Sequence, residues 1–156
     1  MDVLENSLPV DIETFLERPL FCFLGTVDAG DPRVTPLWFL WEDGEIWIIA
    51  NDEKTYPSRI RDHPAVDLAI VDFDVETGLV QHVGMRGTAS VEPHDPARAE
   101  RLLERYLGPE RVEWDPDRFG DPRDWGEKMV MLRIEPARVV ARDQSYDPGA
   151  GSPGAH

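Results

Sequence analysis

The chain of 156 residues is 41% hydrophobic, which is enough for one globular domain with a buried core. Its 31 acidic and 16 basic residues give a net charge of −15, and because such a surface repels phosphate backbones, nucleic acid is disfavoured as a partner. The apolar runs fall far short of the roughly 20 residues that a membrane helix needs. The acidic N-terminus lacks the basic-then-apolar order of a signal peptide. We therefore expect a cytoplasmic protein with no membrane partner.

The first half of the chain predicts a short helix followed by an antiparallel meander. Ile12, Phe15 and Leu16 have helical spacing, and Pro19 ends that turn. Three β-prone segments follow, separated by clusters of turn residues at 28–32 and 42–44; they cover residues 20–27, 33–41 and 45–50.

The second half predicts two helices among further strands. Thr55 is suited to cap a short helix that ends at Pro64, and Asp95 is suited to cap a longer helix that ends before Gly108. Strands are expected over residues 65–73, 78–91, 129–134 and 137–141, with Gly84 and Gly87 as candidate bulges or barrel corners. An acidic loop covers residues 109–128, and a flexible tail covers residues 147–156.

These elements predict a mainly β fold, a six-stranded antiparallel barrel with short peripheral helices. Several connections are too short for parallel crossovers, which favours antiparallel pairing. No interdomain linker is evident, so residues 1–146 are expected to form a single domain.

Metal and hydrolase chemistry have no support in the sequence. The single cysteine, Cys22, excludes an internal disulfide, and its apolar neighbours predict a buried, inert thiol. The four histidines lack metal-ligand spacing, and no Gly-rich phosphate loop or Gly-x-Ser-x-Gly motif is present. We therefore expect no metal site.

A cluster of cations and hydroxyls lies where the third strand leads into the short helix. Its members are Lys54, Thr55, Ser58 and Arg59, and Arg33 opens the second strand. A helix N-terminus with free amides, a hydroxyl and one or two cations is a competent anion site. The alternative is that Lys54 and Arg59 are surface charges paired with Asp52 and Glu53.

Five tryptophans leave two interpretations open. Trp38, Trp41 and Trp47 lie in predicted strands and are interpreted first as barrel core or dimer interface. Trp114 and Trp125 lie in the acidic loop, where they could cap a neighbouring active site. His82, on the long strand, is either directed into a groove or a satisfied strand residue.

Three segments in order resemble the split-barrel flavoproteins of the pyridoxamine 5'-phosphate oxidase-like superfamily. They read LGTVDAGDPRVTPLWFLWEDGEIWIIAND, KTYPSRIRDHPAVDLAIVD and QHVGMRGTASVEP. They are similar to that family's first three strands, to its phosphate-binding helix with the next strand, and to its long strand ending Arg-Gly-x-Ala. Because the substrate-side motifs of the authentic oxidase are not recognisable, the resemblance is to the general flavin and deazaflavin oxidoreductase branch.

The resemblance implies a bound FMN, with a deazaflavin cofactor as the alternative. It places FMN across one strand, in which Arg33 binds the phosphate and the residues that follow line the isoalloxazine ring: Val34, Thr35, Pro36 and Leu37. Ala50 and Asn51 would contact the ribityl chain. The phosphate would be held by the helix start, with Lys54, Thr55, Ser58 and Arg59. Gln81 and His82 would approach the ring at a dimer boundary, where two subunits of a homodimer share each cofactor.

One position departs from the family pattern. Many members have a lysine or arginine eight residues before the proline that ends the short helix, and here that residue is Tyr56, with Lys54 two residues earlier. The expected function is flavin-dependent oxidation or reduction of a small molecule, with no catalytic side chain assigned. The alternatives are a non-catalytic flavin carrier or redox sensor, a deazaflavin-dependent reductase, and a scaffold without cofactor.

Overall fold

The computed structural model describes residues 1–149, so most of the predicted tail, residues 150–156, lies outside the described residues. The described chain contains eight strands and three α-helices. Two short turns of 3-10 helix, Arg111–Glu113 and Pro122–Asp124, lie between the last helix and the last strand. The strands are β1 (Asp2–Asn6), β2 (Cys22–Asp28), β3 (Asp31–Leu37), β4 (Leu40–Glu42), β5 (Glu45–Asn51), β6 (Ala65–Asp74), β7 (Leu79–Pro93) and β8 (Met129–Asp143). The helices are α1 (Ile12–Leu16), α2 (Thr55–Asp62) and α3 (Pro96–Leu107).

All eight strands belong to one sheet with the order β3-β2-β6-β7-β8-β5-β4, and β1 pairs with β8 in parallel. The expectation of a mainly β fold is therefore confirmed. The expected number of six strands is wrong, and so is the expectation that every pair is antiparallel. The hydrogen-bonded sheet is also not closed, because β3 and β4 are its two edges.

The predicted strand over residues 33–41 is divided into two. Its first part, β3, pairs with β2, and its second part, β4, pairs with β5. Only Trp38 and Phe39 separate the two parts, so the two edges of the sheet lie close together along the chain. The ladder of hydrogen bonds is split at this point, and the inner face of the sheet encloses a core that includes Phe15, Leu24, Phe39 and Ile48.

The two segments predicted at the C-terminal end form one strand, β8, which carries a bulge opposite β7. Arg86 is opposite Arg138, but the next residue, Gly87, is opposite Pro136, so Ala137 has no counterpart. A Cβ at Gly87 would lie 2.1 Å from the carbonyl oxygen of Glu135, which explains why glycine is needed there. The prediction of a bulge is confirmed at Gly87. Gly84 lies in regular pairing, so the alternative of a bulge is wrong there.

A second cluster of apolar residues lies on the outer face of β5. It is built by α3 and the segment 109–128, with Leu40, Trp47, Leu102, Leu103, Trp114 and Met131 buried. The predicted ends of α3 are confirmed, because the Asp95 side chain accepts from the Arg98 N–H at 3.1 Å and Gly108 follows the last residue with φ of 88°.

The end of α3 fixes the break between β3 and β4. The Arg105 guanidinium donates to the carbonyls of Leu16 (2.9 Å) and Arg18 (2.7 Å) and to that of Phe39. The Tyr106 hydroxyl donates to the Leu20 carbonyl at 2.7 Å and accepts from the Phe39 N–H at 3.0 Å. These contacts hold the segment after α1, the strand break and α3 as one unit.

Within residues 1–149, no helix is long and apolar enough to cross a membrane. The same residues contain no group of three or more potential metal-ligating side chains. Cys22 is buried, and burial raises the pKa of its thiol to about 12, in agreement with the prediction of an inert thiol.

Candidate functional site

The N-terminus of α2 is open for an anion. Lys54, the residue before the helix, is extended, with φ of −75° and ψ of 162°, and its side chain makes no capping hydrogen bond. The prediction that Thr55 caps the helix is wrong, because Thr55 is the first helical residue and its hydroxyl accepts from Arg59 Nη2 at 2.7 Å. The backbone N–H groups of the first turn therefore have no side-chain cap.

Arg59 is held between the helix and β2. Its Nη1 donates to the hydroxyl of Thr26 at 3.3 Å, while its buried Nε has no hydrogen-bond partner among the described residues. Thr26 is 3% exposed and lies directly opposite Arg33 in the β2–β3 pair. The two arginines therefore flank one buried threonine. Sequence reasoning missed Thr26, since its role depends on the strand register.

The alternative pairing of Lys54 and Arg59 with Asp52 and Glu53 is wrong. Asp52 instead forms a two-bond ion pair with Arg61, at 2.7 and 3.0 Å. Glu53 pairs with Lys128 at 3.0 Å. Among the described residues, neither Lys54 nor Arg59 has a carboxylate within 4.0 Å, so both cations are left for another anion.

Arg33 and the residues after it lie on an edge strand. The Arg33 guanidinium is exposed and lies 3.9 Å from the Asp28 carboxylate, a loose contact. Thr35 and Leu37 are half-buried on the inner face, whereas Val34 and Pro36 are exposed on the outer face. Because β3 pairs only with β2 among the described strands, the peptide groups on its other side are available to a ligand.

The other predicted contacts differ in accessibility. Ala50 is 1% exposed within the core, so its side chain does not reach solvent. Gln81 is 4% exposed, and its carbonyl oxygen accepts from Arg18 at 2.8 Å. Asn51 is half-buried, with its side-chain oxygen accepting from the Glu53 N–H at 2.9 Å.

Gln81 and His82 lie far from Arg33 within one chain. Asp67 is opposite Gly25, next to Thr26, whereas Gln81 is opposite Asp72. The five steps along β6 from Asp67 to Asp72 span roughly 17 Å at about 3.4 Å per residue. His82 is half-buried, with Val71 and Arg142 as its partners on the neighbouring strands. One chain therefore does not bring this pair to the α2 cluster.

A large cavity, about 990 Å³, lies beside Lys54 and Asn51, between the outer face of β5, α3 and the segment 109–128. Its apolar lining comes from Ile49, Leu102, Leu103 and Met129, and its aromatic lining from Trp38, Phe119 and Trp125. Its cations are Lys54, Arg118 and Lys128. Except for Asn51 and Lys54, this lining was not predicted as cofactor-binding, because it comes from elements that are distant in sequence.

Aromatic stacking fixes the walls of this cavity. Trp38 stacks on Tyr106 with ring centroids 4.4 Å apart and an interplanar angle of 4°, and Phe119 lies 6.1 Å from Trp38 on a nearly parallel plane. Trp125 donates from Nε1 to the Phe119 carbonyl at 2.7 Å. Trp38 and Trp125 thus line the cavity of their own chain, whereas Trp47 and Trp114 are buried in the second core.

Two smaller cavities are lined by five more of the predicted residues. One of about 430 Å³ is lined by Thr55, Ser58 and Arg59 together with the β2–β3 turn. Another of about 400 Å³ is lined by Arg33 and Val34. The start of α2 joins the first of these to the large cavity, since Lys54 and Thr55 are adjacent.

Comparison with protein families matches residues 8–142 to the family described as Pyridoxamine 5'-phosphate oxidase. The chain belongs to this family. The split-barrel resemblance of the sequence is thereby confirmed. No curated protein matches the chain.

Solved structures agree with this membership. An F420 reductase is 26% identical and covers 85% of this chain and 98% of its own length, with a TM-score of 0.65. A conserved hypothetical protein from Mycobacterium tuberculosis is 24% identical, with coverages of 92% and 89% and a TM-score of 0.70. An FAD-binding protein from Mesorhizobium loti is 17% identical, with coverages of 89% and 96% and a TM-score of 0.63. The last two support the fold alone.

Proposed function

We propose that this family member binds FMN and acts as a flavin-dependent oxidoreductase on a small molecule. The observation that carries the proposal is the cavity of about 990 Å³ that opens beside the uncapped start of α2. Family membership and the likeness to an F420 reductase agree with a redox cofactor of the flavin or deazaflavin type.

The residues present fit a phosphate dianion. Lys54 and Arg59 lack carboxylate partners among the described residues, and the buried Nε of Arg59 has an unused N–H. The free amides of α2 add further donors, and a helix start favours negative charge. We assign the phosphate of FMN to Lys54, Thr55, Ser58 and Arg59, with Arg33 contributing from β3.

Of the remaining predicted residues, Thr35, Leu37 and Asn51 are half-buried and accessible to the ring and the ribityl chain, whereas the Ala50 side chain is buried and Gln81 and His82 would have to come from a partner subunit. The peptide edge of β3 offers donors and acceptors to a planar heteroaromatic ring, and Asn51 lines the large cavity together with Lys54. Small-molecule sites measure roughly 300–1,000 Å³. At about 990 Å³ the large cavity has room for part of a cofactor and for a second small molecule.

The flavin supplies the hydride chemistry when it is bound. The chain's own residues bind and orient the reactants, and the apolar lining from Leu102, Leu103 and Met129 excludes water from the reacting face. We assign no catalytic side chain.

We further propose a homodimer. The outer face of β5 is covered by α3 and the segment 109–128 of the same chain, so Trp47 lies in a core and not at a dimer interface. Among residues 1–149, the face of β2, β3 and β6 is left uncovered, and five apolar side chains on or next to it are between 39% and 69% exposed: Phe21, Phe23, Val34, Val71 and Phe73. A second copy on this face would also place His82, which neighbours Val71, near a shared cofactor.

Two alternatives share the same site. A deazaflavin-dependent reductase is favoured by the 26% identity to an F420 reductase, and a non-catalytic carrier would need the cofactor cluster but not the large cavity. Anaerobic mixing of the FMN-loaded protein with NADH or NADPH separates them. Enzyme function predicts bleaching of the flavin and its return when an organic acceptor is added. Reductase activity that is present only when the deazaflavin cofactor is supplied favours the deazaflavin-dependent reductase. A bound flavin that stays oxidised favours the carrier.

A further inference from the structure

The lining of the large cavity reverses the charge balance of the chain. The whole sequence has 31 acidic and 16 basic residues. The cavity is lined by three bases, Lys54, Arg118 and Lys128, and by one acid, Glu127. An excess of cations in so acidic a protein indicates that the cavity receives a negatively charged molecule.

Arg118 is the cation of this lining that has no assigned partner. Lys54 is assigned above to the cofactor phosphate, and Lys128 pairs with Glu53 at 3.0 Å. Arg118 forms no ion pair or side-chain hydrogen bond among the described residues, and its guanidinium carbon lies 5.6 Å from the centre of the Phe119 ring. A planar guanidinium offers two parallel N–H donors to a carboxylate.

The segment that carries Arg118 is anchored at several points. Arg111 pairs with Glu100 of α3 at 3.1 Å and with Asp121 at 3.3 Å. Trp114 is 5% exposed and donates to the Gly108 carbonyl at 2.9 Å. The N–H of Phe119 donates to the Asp115 carbonyl at 3.0 Å. Arg118 is therefore presented to the cavity by a fixed turn.

The walls of the cavity select for shape as well as charge. Trp38 and Phe119 present nearly parallel rings, with an interplanar angle of 16°, and Trp125 adds a third aromatic surface. Aromatic walls favour flat, conjugated ligands because ring faces stack with offset geometry. The apolar residues Ile49 and Met129 contribute no charge to compete with Arg118.

We propose that Arg118 is a specificity-determining residue and that the substrate of this site is a flat, conjugated organic anion, bound with its anionic group on Arg118 and its ring against Trp38 and Phe119. The proposal rests on the proposed function, since it concerns the second molecule in the same cavity. Binding of such an anion is nevertheless measurable without turnover.

The test uses isothermal titration calorimetry with two matched probes, 4-nitrobenzoate and its neutral analogue 4-nitrobenzamide. We expect Arg118→Gln to weaken the binding of 4-nitrobenzoate roughly tenfold, which is the effect of losing one charge-assisted contact. The affinity for 4-nitrobenzamide should be unchanged. The matched control is Arg138→Gln, which removes the same charge from an exposed arginine of β8 that has no ion pair among the described residues. It should bind both probes like the wild type.

The outcomes separate this proposal from the proposed function. Weaker binding of 4-nitrobenzoate alone, in Arg118→Gln, supports the proposed role of Arg118 whether or not the protein takes up FMN. Failure of the protein to take up FMN removes the flavin proposal. Equal weakening of both probes assigns Arg118 a structural role and overturns the inference. Unchanged 4-nitrobenzoate binding overturns it too. Loss of FMN affinity in Arg118→Gln would make the residue a cofactor contact and contradict the assignment to substrate.

Discussion

Glu42, the last residue of β4, is connected to α3 by three charge-assisted hydrogen bonds. It accepts from Arg98 Nε at 2.9 Å and from Arg101 Nε and Nη2 at 2.7 and 2.6 Å. Arg98 also lies over the Trp47 ring, with its guanidinium carbon 3.7 Å from the ring centre. The hydrogen bonds from Arg101, followed by those from Arg98, lower the pKa of Glu42. This residue thereby holds α3, and one wall of the large cavity, against β4 and β5.

Replacing Glu42 should destabilise the fold in a pH-dependent way. We expect Glu42→Gln to lower the free energy of unfolding by about 1–3 kcal/mol at pH 7, since the carboxylate and Arg98 are partly buried. Because the folded pKa is lowered, the contribution is present above the unfolded pKa and is lost as the pH falls through the folded value. Urea unfolding followed by tryptophan fluorescence at several pH values measures both effects.

The control is Asp52→Asn, which removes a comparable two-bond pair to Arg61 at the surface. Exposed pairs contribute little, so this variant should unfold like the wild type. Equal destabilisation by both substitutions at every pH would show that partial burial is not what gives the Glu42 cluster its effect.

Single residues also show where sequence reasoning reached its limit. The cluster of Lys54, Thr55, Ser58 and Arg59 was predicted from composition and a helix start, and the structure places it around that start. The partners of Asp52 and Glu53 could not be predicted, since Arg61 is nine residues from Asp52 and Lys128 is distant in sequence. Thr26 was missed because a buried threonine in a strand carries no local signal of its contact with Arg59.

At the scale of elements, the bulge between β7 and β8 shapes the end of the sheet that α2 covers. Gly87 and Gly84 lie on the same strand but differ in surroundings: a Cβ at Gly87 would be 2.1 Å from a backbone oxygen, while at Gly84 the nearest atom is 3.9 Å away. Backbone atoms do not yield as a flexible side chain does, so an added methyl group forces the strands apart at Gly87.

We expect Gly87→Ala to destabilise the protein by at least about 2 kcal/mol and Gly84→Ala to stay within about 0.5 kcal/mol of the wild type. Thermal and urea unfolding of the two variants provide the comparison. Similar stabilities would mean that the register shift at Gly87 does not exist in solution.

Most strands were predicted from alternation and turn residues, but two features were not. β1 has five exposed residues and no buried face, so nothing in residues 2–6 predicts its parallel pairing with β8. The division of residues 33–41 into β3 and β4 cannot be predicted from the sequence, because apolar residues continue through Trp38 and Phe39. The break depends on Arg105 and Tyr106 of α3, whose contacts are tertiary.

At the scale of the whole molecule, the exposed apolar face of β2, β3 and β6 predicts a homodimer. We expect light scattering at micromolar concentration to give twice the chain mass of 17.7 kDa. Phe73→Glu, at a side chain that is 61% exposed on this face, should produce monomers, since a buried unpaired charge is costly.

The matched control is Val112→Glu, because Val112 is 92% exposed but lies in the segment 109–128, away from that face. It should remain dimeric. A wild-type monomer would remove the shared-cofactor arrangement, and monomers from both variants would show that added negative charge, not the position, controls assembly.

The measurement that tests the account most directly is a fluorescence titration of the cofactor-free protein with FMN and with riboflavin, which lacks the phosphate. The wild type should strongly prefer FMN. Arg33→Ala and Lys54→Ala should each weaken FMN by about ten- to a hundredfold and lose most of the preference, since each removes a charge-assisted contact. Arg61→Ala, on the same helix but paired with Asp52, is the control and should bind FMN like the wild type. Equal binding of FMN and riboflavin by the wild type, unchanged in Arg33→Ala and Lys54→Ala, would contradict the site.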